Sequence, residues 1–320
     1  MDMKKHWFTP RLFLPMIFAR TSSRPAAKNA DPTNFWSQTL MRKRTFNTLI
    51  ASAFAAILSL GAATAQADQL ADIKKKGVLV FGILGIDEPN SFVDPKTRQF
   101  IGYEIDLANA IAQKIGVKAE FKQVAVAARI PELQQGHVDL LAASLTHNKE
   151  REALIDFGLT HFVTGSKVVV AKKSGITSVH QLGGKKVVTV KGGTQEPNLK
   201  RVVPTADVVT FESTQQAFLA LQQGKGVAYI NDEASLYSDV LKLGPKAKDY
   251  VVLPENLNVE PLAIGIRKGE TALKAVVDQT LRELETSGAA DKLYEKWYGQ
   301  GSKLKFGKRT WKIESDKVDG

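Results

Sequence analysis

The sequence predicts an α/β protein in two similar halves, each a mostly parallel sheet flanked by helices. Three observations carry that expectation. At 320 residues, 43% of them hydrophobic, the chain has the length for about two domains and the apolar content for packed cores. Short apolar runs alternate with stretches of helical period, in a β-α-β-α-β order that ends near residue 142 and begins again at Lys186. Parallel strands joined by right-handed crossovers are the usual outcome of that order.

Residues 72–77 close a short helix and 78–82 form the first buried strand. A tight turn around Pro95 occupies 94–99. Within 102–116, Leu107, Ala108, Ile111, Ala112 and Ile115 share one helical face, and Gly116 ends the helix. A second strand (119–124), a short helix stopped by its glycine (129–136) and a third strand (138–142) follow. In the second unit 186–190, 207–211 and 227–231 are strands. Helix 195–202 tolerates Pro197 in its first turn, and helix 213–223 stops at Gly224. Asp232 opens the next helix, as N-cap or first-turn acid. A further strand (262–268) leads to helices 270–285 and 289–297, the first with a core stripe of Leu273, Val276, Val277, Thr280, Leu281 and Leu284. The lysine-rich stretch 301–320 has no period and reads as a weakly ordered polar tail, from which Trp311 can pack back on a lobe.

Composition excludes several classes. Cysteine is absent, so no disulfide scaffold or thiolate metal site exists. Four of the five histidines lie beyond residue 67 without HExxH or HxH spacing, so neither a metal nor another cofactor is expected. The net charge of +11 is concentrated at one end: residues 1–67 hold nine Lys/Arg and two Asp/Glu, which leaves 35 basic against 31 acidic residues, or +4, for the rest. That balance gives no reason to expect a nucleic-acid partner.

The basic end explains itself. Met41-Arg42-Lys43-Arg44 is a charged n-region, residues 49–60 are an apolar core, and Ala65-Gln66-Ala67 is an A-x-A cleavage site. We expect a cleaved signal peptide at 41–67, a mature start at Asp68 and a periplasmic location; the apolar run falls short of the ~20 residues of a membrane span. Residues 1–40 lack regular periodicity and are read as an over-extended N-terminus ahead of the true start at Met41.

The most informative stretch is Ser144-Leu145-Thr146-His147-Asn148-Lys149-Glu150-Arg151, which follows the third strand. Asn148 is placed to cap a short helix with Arg151 in its third position. Open α/β sheets bind ligands at such strand ends, and a guanidinium there suits a carboxylate, gripped by two parallel hydrogen bonds. A solvated charged turn is the alternative for 149–152. Gly192-Gly193-Thr194 brings backbone N–H groups to a helix start, an anion-binding arrangement or simply a turn. It is neither a Walker A loop nor GxGxxG, which disfavours nucleotides.

With these residues in place, the chain from about Asp68 to Tyr298 resembles the periplasmic amino-acid-binding proteins of ABC transporters, solute-binding family 3. The resemblance rests on Gly102-Tyr103-Glu104-Ile105-Asp106-Leu107, Thr146 with Glu150-Arg151 and Asp156-Phe157, Gly193-Thr194, Ala228 with Asp232, and Glu295-Lys296-Trp297, in that order. It implies a two-lobed periplasmic-binding-protein fold: lobe 1 from 68–162 and 262–300, lobe 2 from 167–256, and crossovers at 163–166 and 257–261. Carried over, Arg151 and Thr146 hold the ligand's α-carboxylate with help from Gly193 and Thr194, and Asp232 meets its α-ammonium. The pocket for the side chain departs from the pattern. Asp87 stands where an aromatic is common, Val126-Ala127 replaces a second aromatic wall, and Leu84 and Thr214 replace the arginine and histidine of the glutamate/aspartate branch. Asp87 and Thr214 are therefore the side-chain candidates.

The implied function is a receptor, not an enzyme, delivering a polar amino acid, with glutamate and aspartate as models, to an inner-membrane ABC permease. A monomer is expected. Two other classes share the fold. A cyclohexadienyl dehydratase would need a cleft acid, for which Glu88 and Glu196 are the candidates. A sensor half of a signalling chain is disfavoured by the absence of a C-terminal membrane or kinase segment.

Overall fold

A computed structural model describes residues 69–314. The expected translation start, the signal segment and the mature start at Asp68 lie outside the described residues. Among the described residues no helix is long and apolar enough to cross a membrane.

Helix α1 (Gln69–Lys76) carries Asp72 in its first turn and three lysines in its last, the polarity its dipole favours. Strand β1 (Val78–Ile83) follows, then a small antiparallel sheet of β2 (Ile86–Asp87), β3 (Ser91–Val93) and β4 (Phe100–Ile101). Gly102 enters α2 (Tyr103–Ile115) at φ +143°, where an added Cβ would collide with the Asn90 carbonyl. Beyond β5 (Lys118–Gln123) come α3 (Arg129–Gln134), β6 (Leu140–Leu141), α4 (Lys149–Glu152) and the long β7 (Asp156–Thr164).

After Gly165 the chain enters β8 (Ser166–Ala171), then β9 (Lys186–Val190), α5 (Gln195–Val202), β10 (Asp207–Phe211) and α6 (Thr214–Gln222). Strand β11 (Ala228–Asp232), α7 (Glu233–Leu241) and β12 (Tyr250–Val252) complete this half. The chain returns through β13 (Glu260–Ile266) to α8 (Thr271–Thr286) and α9 (Ala289–Trp297).

Two five-stranded sheets result, ordered β5-β1-β6-β13-β7 and β10-β9-β11-β8-β12. Each has three parallel strands joined by antiparallel strands belonging to the crossings: β13 pairs antiparallel with β6 and β7, and β8 with β11 and β12. The expected two-lobed architecture with mostly parallel sheets is therefore present. The two crossings run side by side: Glu260 pairs with Thr164, and a Cβ on Gly165 would lie 2.6 Å from the Asn258 carbonyl oxygen. Lobe 2 packs helices on both faces, because Val168 and Val170 of β8 enter one core and Val169 the other.

The expectation of a weakly ordered tail is corrected as far as residue 314. Arg309 forks onto Glu285 at 2.6 and 2.8 Å and reaches Asp291 at 2.8 Å. Trp311 packs edge-on against Phe162 and Tyr294, and Ile313 is buried in the lobe 1 core. Composition misled because few residues of the segment are apolar, and those few are the ones that dock. Deleting 301–320 should cost about 2–4 kcal/mol, from one or two buried side chains and a bidentate ion pair. Urea unfolding of the full and shortened chains measures it; equal midpoints would mean that the docked tail adds nothing.

Candidate ligand-binding site

The C-terminal ends of β1 and β6 in one lobe face those of β9 and β11 in the other, and the polar side chains of both lobes converge there. From lobe 1, the Asn148 side chain caps α4 by accepting from the Arg151 N–H at 2.9 Å. That cap fixes a helix of only four residues and aims Arg151 at the crevice. The guanidinium donates to the Thr146 carbonyl at 2.8 Å and, across the cleft, to the Gly192 carbonyl at 3.3 Å. Burial draws its pKa down, opposed by the charges of Glu260 and Asp232.

Ser144, between β6 and Arg151, sits at φ +48°, a conformation that costs a non-glycine residue about 1–3 kcal/mol. Glu104 of α2 holds it there, with both carboxylate oxygens accepting the Ser144 N–H at 2.9 and 3.0 Å. Glu104 is fully buried, and desolvation pushes its pKa up to about 8. His161 lies 3.7 Å away, but burial lowers its pKa to about 3, so it is neutral and gives Glu104 no counter-charge.

From lobe 2, Gly192 comes close to lobe 1: at φ +81°, an added Cβ would lie 2.5 Å from Ala127 Cα. Its carbonyl also accepts from Arg129, at 3.2 Å, so two guanidiniums converge on one oxygen. Asp232 stands at the N-cap of α7 but does not cap it; its side chain accepts from Gln195 Nε2 at 2.7 Å. Burial, with Glu260 and Asp87 nearby, holds its carboxyl well above the usual range. Asp87 accepts from the hydroxyls of Ser144 and Ser235, both at 2.5 Å, and from Asn90 at 2.9 Å.

All seven residues singled out in the sequence (Asp87, Thr146, Arg151, Gly193, Thr194, Thr214, Asp232) line one cavity of about 20 Å³ between the lobes, space for about one water. Arg129, Gln195 and Ser235, none of them a candidate from the sequence, line it too, as does Ser144 of the stretch that carries Arg151, and Glu260 stands behind Thr146 and Thr194. Arg129 was placed only as a helix start. Its Nε donates to the Val126 carbonyl and its Nη1 to those of Ala143 and Ser144, each at 2.9 Å. Burial, with the Arg151 charge beside it, lowers its pKa to about 9.

Glu260, fully buried at the start of β13, accepts from Thr146 Oγ1 at 2.6 Å and Thr194 Oγ1 at 2.7 and 2.8 Å. Ser166, Asn198 and Asn258 donate to it at 2.8, 2.7 and 3.0 Å. A threonine hydroxyl has one proton. With that proton given to Glu260, Thr146 and Thr194 can offer the cleft only lone pairs. The Thr146 backbone is a different matter. Its isolated bridge to Leu262 is hydrogen-bonded through His147 and Ala263, so its own N–H points away from β13.

Glu104 yields a pH prediction. The folded carboxyl keeps its proton to about pH 8, whereas an ordinary glutamate releases it near 4.5. The folded state then binds more protons across that window, so stability falls as pH rises through it, by roughly 3–5 kcal/mol at this site. Glu104→Gln keeps an acceptor for Ser144 and removes the titration. Its urea stability should gain on the native protein steadily between pH 5 and pH 8; parallel profiles would show that Glu104 does not titrate there.

Residues 79–300 match the bacterial extracellular solute-binding proteins, family 3. The chain is 35% identical to the ABC transporter glutamine-binding protein GlnH of Bacillus subtilis, over 80% of this chain and 97% of that protein. It is 30% identical to the L-glutamate/L-aspartate-binding protein of Pseudomonas aeruginosa, over 77% and 86%. Among solved structures, an ancestral amino-acid-binding protein, a precursor of cyclohexadienyl dehydratase, superposes with a TM-score of 0.66 at 33% identity, over 72% of this chain and all of that one. The chain therefore belongs to family 3 of the bacterial extracellular solute-binding proteins.

Proposed function

We propose that the protein is an exported, monomeric receptor that binds a free L-α-amino acid and presents it to an ABC permease, with residues 41–67 serving as the cleaved signal. The carrying observation is a guanidinium on one lobe and an ionisable carboxyl on the other, Arg151 and Asp232, lining one cavity. A zwitterion is a fixed dipole that complements such a pair. In this reading Arg151 and the Thr146 N–H take the α-carboxylate. Asp232 ionises as it accepts the α-ammonium, and the lone pairs of Thr146 and Thr194 share that cation. Since the closed cavity admits about one water, the ligand enters with the lobes apart, and closure then buries both charge pairs.

The side chain would point toward Leu84, Val126, Thr214 and Asp87. A second carboxylate set beside Asp87 would be repelled, which favours an uncharged, donor-bearing side chain such as glutamine's. Arg129 supports the alternative, a glutamate- or aspartate-like ligand, but most of its donors already serve backbone carbonyls. The names of the relatives include both ligand types. The dehydratase reading has less support. Glu88 is tied to Lys303 at 2.8 Å and lines a different groove, and Glu196 does not line the cavity.

Calorimetry tests the proposal. L-Glutamine should bind about tenfold or more tighter than L-glutamate, while glutamine α-amide and N-acetylglutamine should fail to bind. Arg151→Ala should weaken binding about thirtyfold or more, since it strands a buried carboxylate, and Arg151→Lys should not restore it. Full affinity for the blocked derivatives would overturn the assignment. Turnover of prephenate or arogenate above the uncatalysed rate would make the protein an enzyme.

A further inference from the structure

We propose that Glu260 sets the cleft's preference for an α-ammonium over an α-hydroxyl, acting through the hydroxyl of Thr146. This deepens the amino-acid reading of the cleft and rests on it. Glu260 is fully buried and does not line the cavity, whereas Thr146 does, so the carboxylate is a positioning residue. Its two oxygens have different duties. Oε1 accepts from Asn198 Nδ2 at 2.7 Å, Asn258 Nδ2 at 3.0 Å and Ser166 Oγ at 2.8 Å. Oε2 accepts from Thr146 Oγ1 at 2.6 Å, and Thr194 Oγ1 spans both oxygens at 2.7 and 2.8 Å.

A carboxylate has no proton to give, so Thr146 commits its only one to Oε2 and turns lone pairs to the cavity. An ammonium carries three protons and can meet both threonine oxygens. An α-hydroxyl carries one, which satisfies one of them and sets lone pairs against the other. Glu260→Gln reverses the arrangement, and the neighbours decide which atom of the amide goes where. Asn198 Oδ1 accepts from Arg201 Nη2 at 2.9 Å and Asn258 Oδ1 from the Ser166 N–H at 3.2 Å. Both asparagines are thereby fixed with their NH2 groups toward Oε1. Two such donors demand an oxygen there, which puts the new amide NH2 in the place of Oε2. That NH2 donates to Thr146 Oγ1 and frees the hydroxyl proton for the cavity. Thr146 itself stays in place, because the backbone on either side is bonded to β13. His147 N–H donates to the Pro261 carbonyl at 2.8 Å, and Ala263 N–H to the Leu145 carbonyl at 3.1 Å.

The test is calorimetry of the full protein with L-glutamine and its α-hydroxy analogue of the same configuration. The native protein should prefer glutamine about tenfold or more, the effect of one hydrogen bond to a charged group. Glu260→Gln should weaken glutamine about tenfold or more while the analogue holds or tightens. Thr146→Val, which leaves the Glu260 charge in place, should also narrow the preference. Added to Thr146→Val, Glu260→Gln should cost glutamine less than about threefold, since no hydroxyl remains to turn. Three results would overturn the proposal while the amino-acid reading stands: glutamine binding unchanged by Glu260→Gln, both ligands weakened equally, or the same loss with and without the Thr146 hydroxyl. If the native protein does not bind glutamine, that reading fails and this one falls with it.

Discussion

The arrangement of the cleft depends on one buried carboxylate. Glu260 lies where the chain crosses back between the lobes, and its side chain collects donors from both: Thr146 from one, Thr194 and Asn198 from the other, with Ser166 and Asn258 from the crossings. Removing a charge from water costs several kcal/mol, and only a full set of charge-assisted hydrogen bonds, here with the Arg151 charge nearby, offsets that cost. The bonds have a geometric result. They tie the loop after β6 and the loop after β9 to a single point, so each loop holds its polar groups in register with the other. They also set the polarity of the two hydroxyls, turning both into acceptors toward the cavity.

Charge balance in the cavity follows the same logic. Arg129 and Arg151 share the Gly192 carbonyl, an arrangement in which like charges oppose each other and burial disfavours both. Asp87, Glu104, Asp232 and Glu260 surround them. Of these, Glu104 and Asp232 keep their protons well above the usual carboxylate range. In the proposed reading these groups complement a zwitterion, Arg151 meeting its carboxylate and the Asp232 carboxyl ionising as the ammonium arrives. Closure and binding are then one equilibrium, because the groups that complete each charge pair are on opposite lobes.

How much of this was legible in the sequence depended on the range of each interaction. The cap of Asn148 on Arg151 spans three residues and could be read directly. Asp232 and Thr194 were singled out through the family resemblance, and both stand at helix starts that follow strands. Glu260 could not be read, since its partners Thr146 and Thr194 lie 114 and 66 residues away. Arg129 was hidden for a similar reason: its carbonyl acceptors come from three separate loops, and carbonyls leave no trace in a sequence. Strands β7 and β8 escaped as well, because β8 is buried along nearly its whole length and shows no alternation for a period to reveal.

Specificity is the part that resemblance conveys least, and the geometry shows why. In the proposed reading the main-chain grip needs a cation on one lobe and an anion on the other, a requirement any free amino acid imposes. The side-chain end carries no such common demand. Here Leu84 and Thr214 line the cavity without a charge, and Asp87 bonds Ser144 and Ser235. Ser235 belongs to lobe 2, so Asp87 ties the lobes together as well as lining the cavity. A residue that bonds both lobes restricts what can sit beside it.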